Sequence, residues 1–122
     1  KSVAATRQLV QRREFEAKAE DYVRGRASRE EVINYIMEQP RHKQKTMMRK
    51  FNDYIKMGDM PDKKWWIELK YADPDTRAEL FHRRYEKARP EEQERLRQWL
   101  DRIPGIRSDR FNYKLRELRN EN

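Results

Sequence analysis

Apolar residues recur at helical spacing along most of this chain, separated by short breaks at Gly and Pro. Residues 2–24 contain neither Gly nor Pro and are dominated by good helix formers such as Ala, Arg, Glu and Gln. Their apolar face is clear only at the end, through Phe15, Ala19, Tyr22 and Val23, while Val3, Leu9 and Val10 are sparse. Gly25 stops this segment. Ser28 and Glu31 then form a capping-box pattern, followed by Val32, Ile33, Ile36 and Met37 on one face up to Pro40. A further stripe of Met47, Met48, Phe51, Tyr54 and Ile55 predicts a helix ending at Gly58. After Pro61, the pattern is ambiguous. Trp65, Ile67, Leu69 and Tyr71 alternate as a strand would, yet Trp65, Leu69 and Ala72 also fit a helix. No second strand candidate exists to pair with it, so helix is the expectation.

The second half repeats this punctuation. Asp73 to Asp75 make a turn around Pro74, and Thr76 with Glu79 forms another capping-box pattern. Ala78, Phe81, Tyr85 and Ala88 line one face. Pro90 fits a first helical turn, with Glu91, Glu92 and Glu94 near its positive end. Leu96, Trp99, Leu100 and Ile103 follow, broken by Pro104 and Gly105. Ser108 caps a last helix with Phe111, Leu115 and Leu118 inward, and Asn120 to Asn122 are expected to fray.

The two halves match at one offset of 48 residues. Ser28, Glu31, Val32, Ile33 and Met37 fall opposite Thr76, Glu79, Leu80, Phe81 and Tyr85. Met48, Arg49, Phe51, Asp53 and Ile55 fall opposite Leu96, Arg97, Trp99, Asp101 and Ile103. Such a match suggests stacked helical units, an architecture that presents binding surfaces. The expected fold is all-α: seven short-to-medium helices, arranged as two stacked three-helix units plus a leading N-terminal helix. The expected boundaries are a leading basic helix at 1–25, a first unit at 26–72 and a second at 73–122. The chain starts at Lys1 and not at methionine, and repeat pairs belong to longer arrays, so a piece of a larger protein is expected.

Composition narrows the function. The chain is 35% hydrophobic and 43% charged, with a mean hydropathy of −1.39, which allows only a thin core under a solvated exterior. The formal net charge of +8 and a pI near 9.8 favour acidic partners. The surplus lies toward the N-terminus: residues 1–72 hold 17 Lys/Arg against 11 Asp/Glu, whereas residues 73–122 hold 13 against 11. Cysteine is absent, which excludes disulfides, thiolate metal sites and thiol catalysis, and an intracellular location is favoured. No apolar run is long enough to span a bilayer, and no signal-peptide core is present.

Two windows carry candidate binding chemistry. Arg41, Lys43, Lys45, Arg49 and Lys50, with His42 and no acid between them, could contact phosphates. Lys63, Lys64, Trp65 and Trp66 set bases beside tandem indoles, which suits either stacking on unpaired bases or the centre of a protein interface. Neighbouring helical residues point about 100° apart, so one indole is expected in the core and the other part-exposed. Phe15 and Tyr22 on the leading helix are further protein-binding candidates. Arg24, Arg26 and Arg29 surround a helix break, where Glu30 and Glu31 compete for the charge, and read as a solvated loop. His42 and His82 are too few for a zinc site without Cys, and no phosphate-cradling or nucleophile motif occurs. The expectation is a non-catalytic interaction or scaffolding module, with no cofactor or small-molecule substrate. Its partner is another protein or its own assembly; the alternative is a nucleic-acid-binding module using the basic, aromatic-flanked face.

Overall fold

In the computed structural model, residues 3–121 are described, and they form seven helices with no strand among them. In order these are α1 (Val3–Val23), α2 (Arg29–Met37), α3 (Arg41–Met57), α4 (Lys63–Tyr71), α5 (Pro74–Lys87), α6 (Pro90–Arg102) and α7 (Asp109–Asn120). The all-α class and all seven helices therefore follow the hydrophobic pattern. The start expected at residue 2 and the fraying at Asn122 lie outside the described residues. The ambiguous segment after Pro61 is helical, as α4.

The chain divides by packing into two compact units, Lys1–Lys63 and Lys64–Asn122. The sequence reading put this boundary between residues 72 and 73. The difference arises because α4 buries Trp66, Ile67 and Leu69, and Trp66 does so against Phe81 and Trp99 of the second unit. In the first unit, α1 packs on both α2 and α3, which also pack on each other. The first helix is thus a full member of a three-helix bundle and not a leader to it. Its Phe15 is buried edge-on to Tyr54, and Tyr22 packs edge-on to Phe51. In the second unit α5 is central, with α7 its main neighbour and α6 also against it.

The starts of α2, α5 and α7 are set by side-chain caps. The Ser28 hydroxyl accepts from the Glu31 N–H at 3.1 Å, and the Ser108 hydroxyl accepts from Phe111 at 3.2 Å. The cap of α5 is Asp73 and not the expected Thr76. Its carboxylate accepts from the Thr76 N–H at 3.0 Å and from the Thr76 hydroxyl at 2.7 Å. Pro74 then takes the first helical position, where its missing N–H costs nothing.

The 48-residue match does not carry through to packing. α2 buries Val32 and Ile36, while the offset partners Leu80 and Arg84 are only half-buried. α3 buries Phe51, whose partner Trp99 is half-buried; Asp53 is buried, whereas Asp101 is exposed and pairs with Arg107 at 2.6 Å. The inward positions of α6 and the loop after it, Leu100, Ile103 and Ile106, instead follow Phe51, Tyr54 and Met57 at an offset of 49. The caps Ser28 and Asp73 differ by 45. No single offset aligns both helix pairs.

Candidate interaction surfaces

The sequence-predicted residues separate into three fates. Phe15, Tyr22 and Trp66 are spent inside their own units. Trp66 is fully buried, with Trp65, Phe81 and Trp99 around it, and its Nε1–H finds no acceptor among the described residues. Lys63 is also withdrawn from solvent, at 8% exposure. Its ammonium lies 2.6 Å from Oε1 of Glu20, donates to the Gly58 carbonyl and sits 5.9 Å from the centre of the Tyr54 ring. It closes the first unit and is not available as a phosphate contact. The tandem Lys–Trp window therefore does not form one basic–aromatic surface, because side chains successive on a helix diverge by about 100°.

Trp65 remains half-exposed and belongs to a groove in the second unit. Trp65 from α4, Leu80, Arg83, Arg84, Lys87 and Ala88 from the stretch of α5 and its end, and Glu92 from α6 line an open depression of about 340 Å³. The Arg84 guanidinium lies over the Trp65 indole, 4.4 Å from its centre, and its Nη2 is 3.5 Å from Oε1 of Glu92. A planar guanidinium stacks on an indole face because the ring quadrupole is negative there. The floor is apolar, from Trp65, Leu80 and Ala88. Arg83 and Lys87 stand on the rim, exposed, with no ion-pair partner among the described residues. Sequence reasoning identified Trp65 but missed Leu80, Arg83, Arg84 and Lys87. The signal present was a basic cluster on α5 at helical spacing; its meaning depends on which residue of α4 lies beneath it.

In the first unit, the basic window of α3 splits by face. Arg41, Lys45 and Arg49 are exposed. Lys43 is half-buried and donates to Oε1 of Gln11 at 3.1 Å, which ties α3 to α1. Lys50 is likewise half-buried, and Lys64 on α4 is exposed. His42 is exposed, and His82 Nε2 lies 3.3 Å from Glu86 on the same helix. Among the described residues, no three His, Asp or Glu side chains gather in a way that could hold a metal ion, and no helix is long and apolar enough to cross a membrane.

In the second unit a buried charged side chain, Arg77, is only 7% exposed. It donates only to main-chain carbonyls: Leu69, Lys70 and Ala72 at the end of α4, and Gly105 and Ile106 between α6 and α7. Burial pushes its pKa down, with Asp73 opposing. Five donors in a rigid fork satisfy carbonyls that a helix end leaves open. Arg77 thereby fixes α4 against α5 and so holds Trp65 under Arg84.

Comparison with protein-family models, with curated protein sequences and with solved structures finds no match for this chain.

Proposed function

We propose that the chain is a non-catalytic helical interaction module, whose docking surface for a partner protein is the Trp65 groove. The observation that carries this reading is the half-exposed indole of Trp65 under Arg84, on an apolar floor with two unpaired cations at its rim. Trp and Arg dominate the energetics of protein interfaces when they sit at the centre of a patch. Arg84 is already held by Trp65 and Glu92, so less side-chain freedom is lost when a partner orders it. Arg83 and Lys87 add a positive rim that steers an acidic segment inward. The occupant that fits is a short acidic segment of another protein with one aliphatic or aromatic anchor, the anchor on Trp65 and Leu80 and its carboxylates on Arg83 and Lys87.

The test uses two synthetic peptides of equal negative charge, one with a central Leu and one with a central Gly, followed by amide chemical shifts. The Leu peptide is expected to bind more tightly and to move the signals of Leu80, Arg84 and Ala88. Trp65→Ala should remove the difference between the peptides while the helical signal is kept. Equal binding of both peptides to the unmodified chain would overturn the reading.

A further inference from the structure

The first unit carries a second surface of different chemistry. α3 holds six Lys or Arg residues and one acid, Asp53, which is buried. Arg41, Lys45, Arg49, Asn52 and Lys56 fall within an arc of about 80° at 3.6 residues per turn, and all five are exposed. At a rise of 1.5 Å per residue, the first three cations are spaced about 6 Å apart, and the row runs about 22 Å to Lys56. The opposite side of the helix is anchored by Phe51, Tyr54 and Met57 in the core of the unit.

Several cations elsewhere in the molecule meet a carboxylate, though Arg83 and Lys87 at the groove meet none among the described residues. Arg24 and Lys63 meet Glu20, Arg26 meets Asp21, Arg84 meets Glu92, Arg97 meets Glu94 and Arg107 meets Asp101. Arg41, Lys45, Arg49 and Lys56 meet no carboxylate among the described residues. Their arrangement also opposes helix formation. Like charges stand four apart at 41, 45 and 49, and Arg41 and Lys43 sit at the positive end of the helix dipole. No acid occupies that first turn, and Pro40 at the N-cap supplies no side-chain hydrogen bond. A face chosen only for solubility would gain from acids here. A polyanion laid along the row relieves every one of these repulsions.

We infer that this face of α3 binds the phosphate backbone of a nucleic acid, without reading its sequence, through Arg41, Lys45, Arg49 and Lys56. Cations about 6, 6 and 10 Å apart along the helix, with no apolar residue within their arc, suit a repeating anionic polymer. A protein partner would be expected to find an apolar anchor at the centre of its patch, and this row has none. An anionic membrane would be met by apolar side chains beside the cations. The exposed large apolar residues, Val3, Val10, Met37, Tyr71 and Tyr113, all lie on other helices. It shares no residue with the Trp65 groove and does not depend on it.

The experiment is fluorescence anisotropy with a short mixed-sequence DNA duplex between about 50 and 200 mM salt. Four phosphate contacts predict a slope of log K against log salt of about −3.6, a loss of about 100-fold over that range. The double variant Lys45→Gln with Arg49→Gln should halve the slope to about −1.8. Its thermal midpoint should not fall, since the substitutions remove repulsion. The control pair Lys43→Gln with Lys50→Gln, off the row, should leave the slope near its original value. Trp65→Ala should bind the duplex as the unmodified chain does, so failure here is distinct from failure at the groove. The inference is overturned by no binding at the lower salt, by a slope that the Lys45/Arg49 variant leaves unchanged, or by variant-sensitive binding to phosphatidylserine vesicles without binding to the duplex.

Discussion

Arg77 donates from Nε to the carbonyl of Leu69 at 2.9 Å, eight residues upstream, and so clasps the end of α4 from the first turn of α5. The same guanidinium reaches Lys70 and Ala72 at 3.0 Å, while its other nitrogen turns to Gly105 and Ile106. One side chain thus joins the end of one helix to the loop before another. The Phe111 ring lies 5.9 Å away and closes the site from α7.

This arrangement makes Arg77→Lys a non-conservative change. A single ammonium cannot reach carbonyls spread around a planar fork. Arg77→Lys should destabilise the chain by about 2 kcal/mol, and Arg77→Met by about 3 kcal/mol or more, because buried carbonyls are then left without donors. Urea unfolding checks both. An unchanged midpoint for Arg77→Met would show that the carbonyls find other partners.

Trp66 and Trp65 should respond in opposite ways. Trp66→Ala opens a cavity among Phe81, Trp99 and Trp65 and should cost about 3–5 kcal/mol. Trp66→Phe also removes a buried N–H with no acceptor, a group whose unmet demand costs about 1–3 kcal/mol. The gain offsets much of the lost contact, so Trp66→Phe should lie within about 1 kcal/mol of the unmodified chain. A loss as large as that of Trp66→Ala would mean that the indole nitrogen is satisfied. Trp65→Ala, at a half-exposed position, should leave the melting curve nearly unmoved.

Lys63 offers a test of charge spent on structure. Lys63→Met removes one of the two cations that meet Glu20, leaves the Gly58 carbonyl without its donor and should cost about 2 kcal/mol. Adding Glu20→Gln should recover part of that loss, as expected for partners in contact. Additive losses in a double-mutant cycle would show that the pair is not coupled. The salt slope of DNA binding should be unaffected by Lys63→Met.

Alkaline pH should weaken the first unit through Tyr35. Its hydroxyl donates to the Gln11 carbonyl at 3.3 Å and to Oε2 of Glu14 at 3.2 Å. Burial first, then the bond to Glu14 and the charges of Glu14 and Glu38, push its pKa up to about 12 from an ordinary 10.0. The folded state therefore holds this proton more tightly than the unfolded chain does. The stabilisation is complete below pH 10 and fades as the pH rises through about 12. Tyr35→Phe should lower stability at neutral pH and lose less between those limits. Parallel pH profiles for the two proteins would refute it.

Acid acts on the second unit by the opposite sign. The Thr76 N–H and hydroxyl hold the pKa of Asp73 below the ordinary 3.8, and the Arg110 fork at 2.7 and 2.8 Å does the same for Asp75. Their contribution is present above pH 3.8 and is lost as the pH falls below it. Asp73→Asn with Asp75→Asn should flatten the acid limb of a pH-stability profile. A limb of unchanged steepness would place the acid sensitivity elsewhere.

The helices were legible because their causes are local. Gly25, Pro40, Gly58, Pro61, Pro90 and Gly105 mark the breaks, and the periodic apolar residues between them need only the rise and pitch of a helix to be recognised. The cap of α5 was misread for an equally local reason: Asp73 and Thr76 are both good cap residues, and Pro74 decides in favour of Asp73 by occupying the first helical position. The 48-residue match is less informative about packing. Matching residue classes at 48 residues reflected a shared helical period, but burial depends on which neighbour each face meets. Val32 is fully covered in its unit while Leu80 lines a groove.

The sequence by itself determined the seven helices, the polar exterior and the two windows of basic chemistry, because spacing, caps and charge are properties of neighbours along the chain. Tertiary packing decided the roles within those windows. It buried Lys63 on Glu20, drew Lys43 to Gln11, left Trp65 beneath Arg84 and left Arg41, Lys45, Arg49 and Lys56 in the open. The physical reason is that a charge or an indole becomes structure or surface according to what lies within a few ångströms, and those partners are as much as 43 residues away in the sequence, as from Glu20 to Lys63.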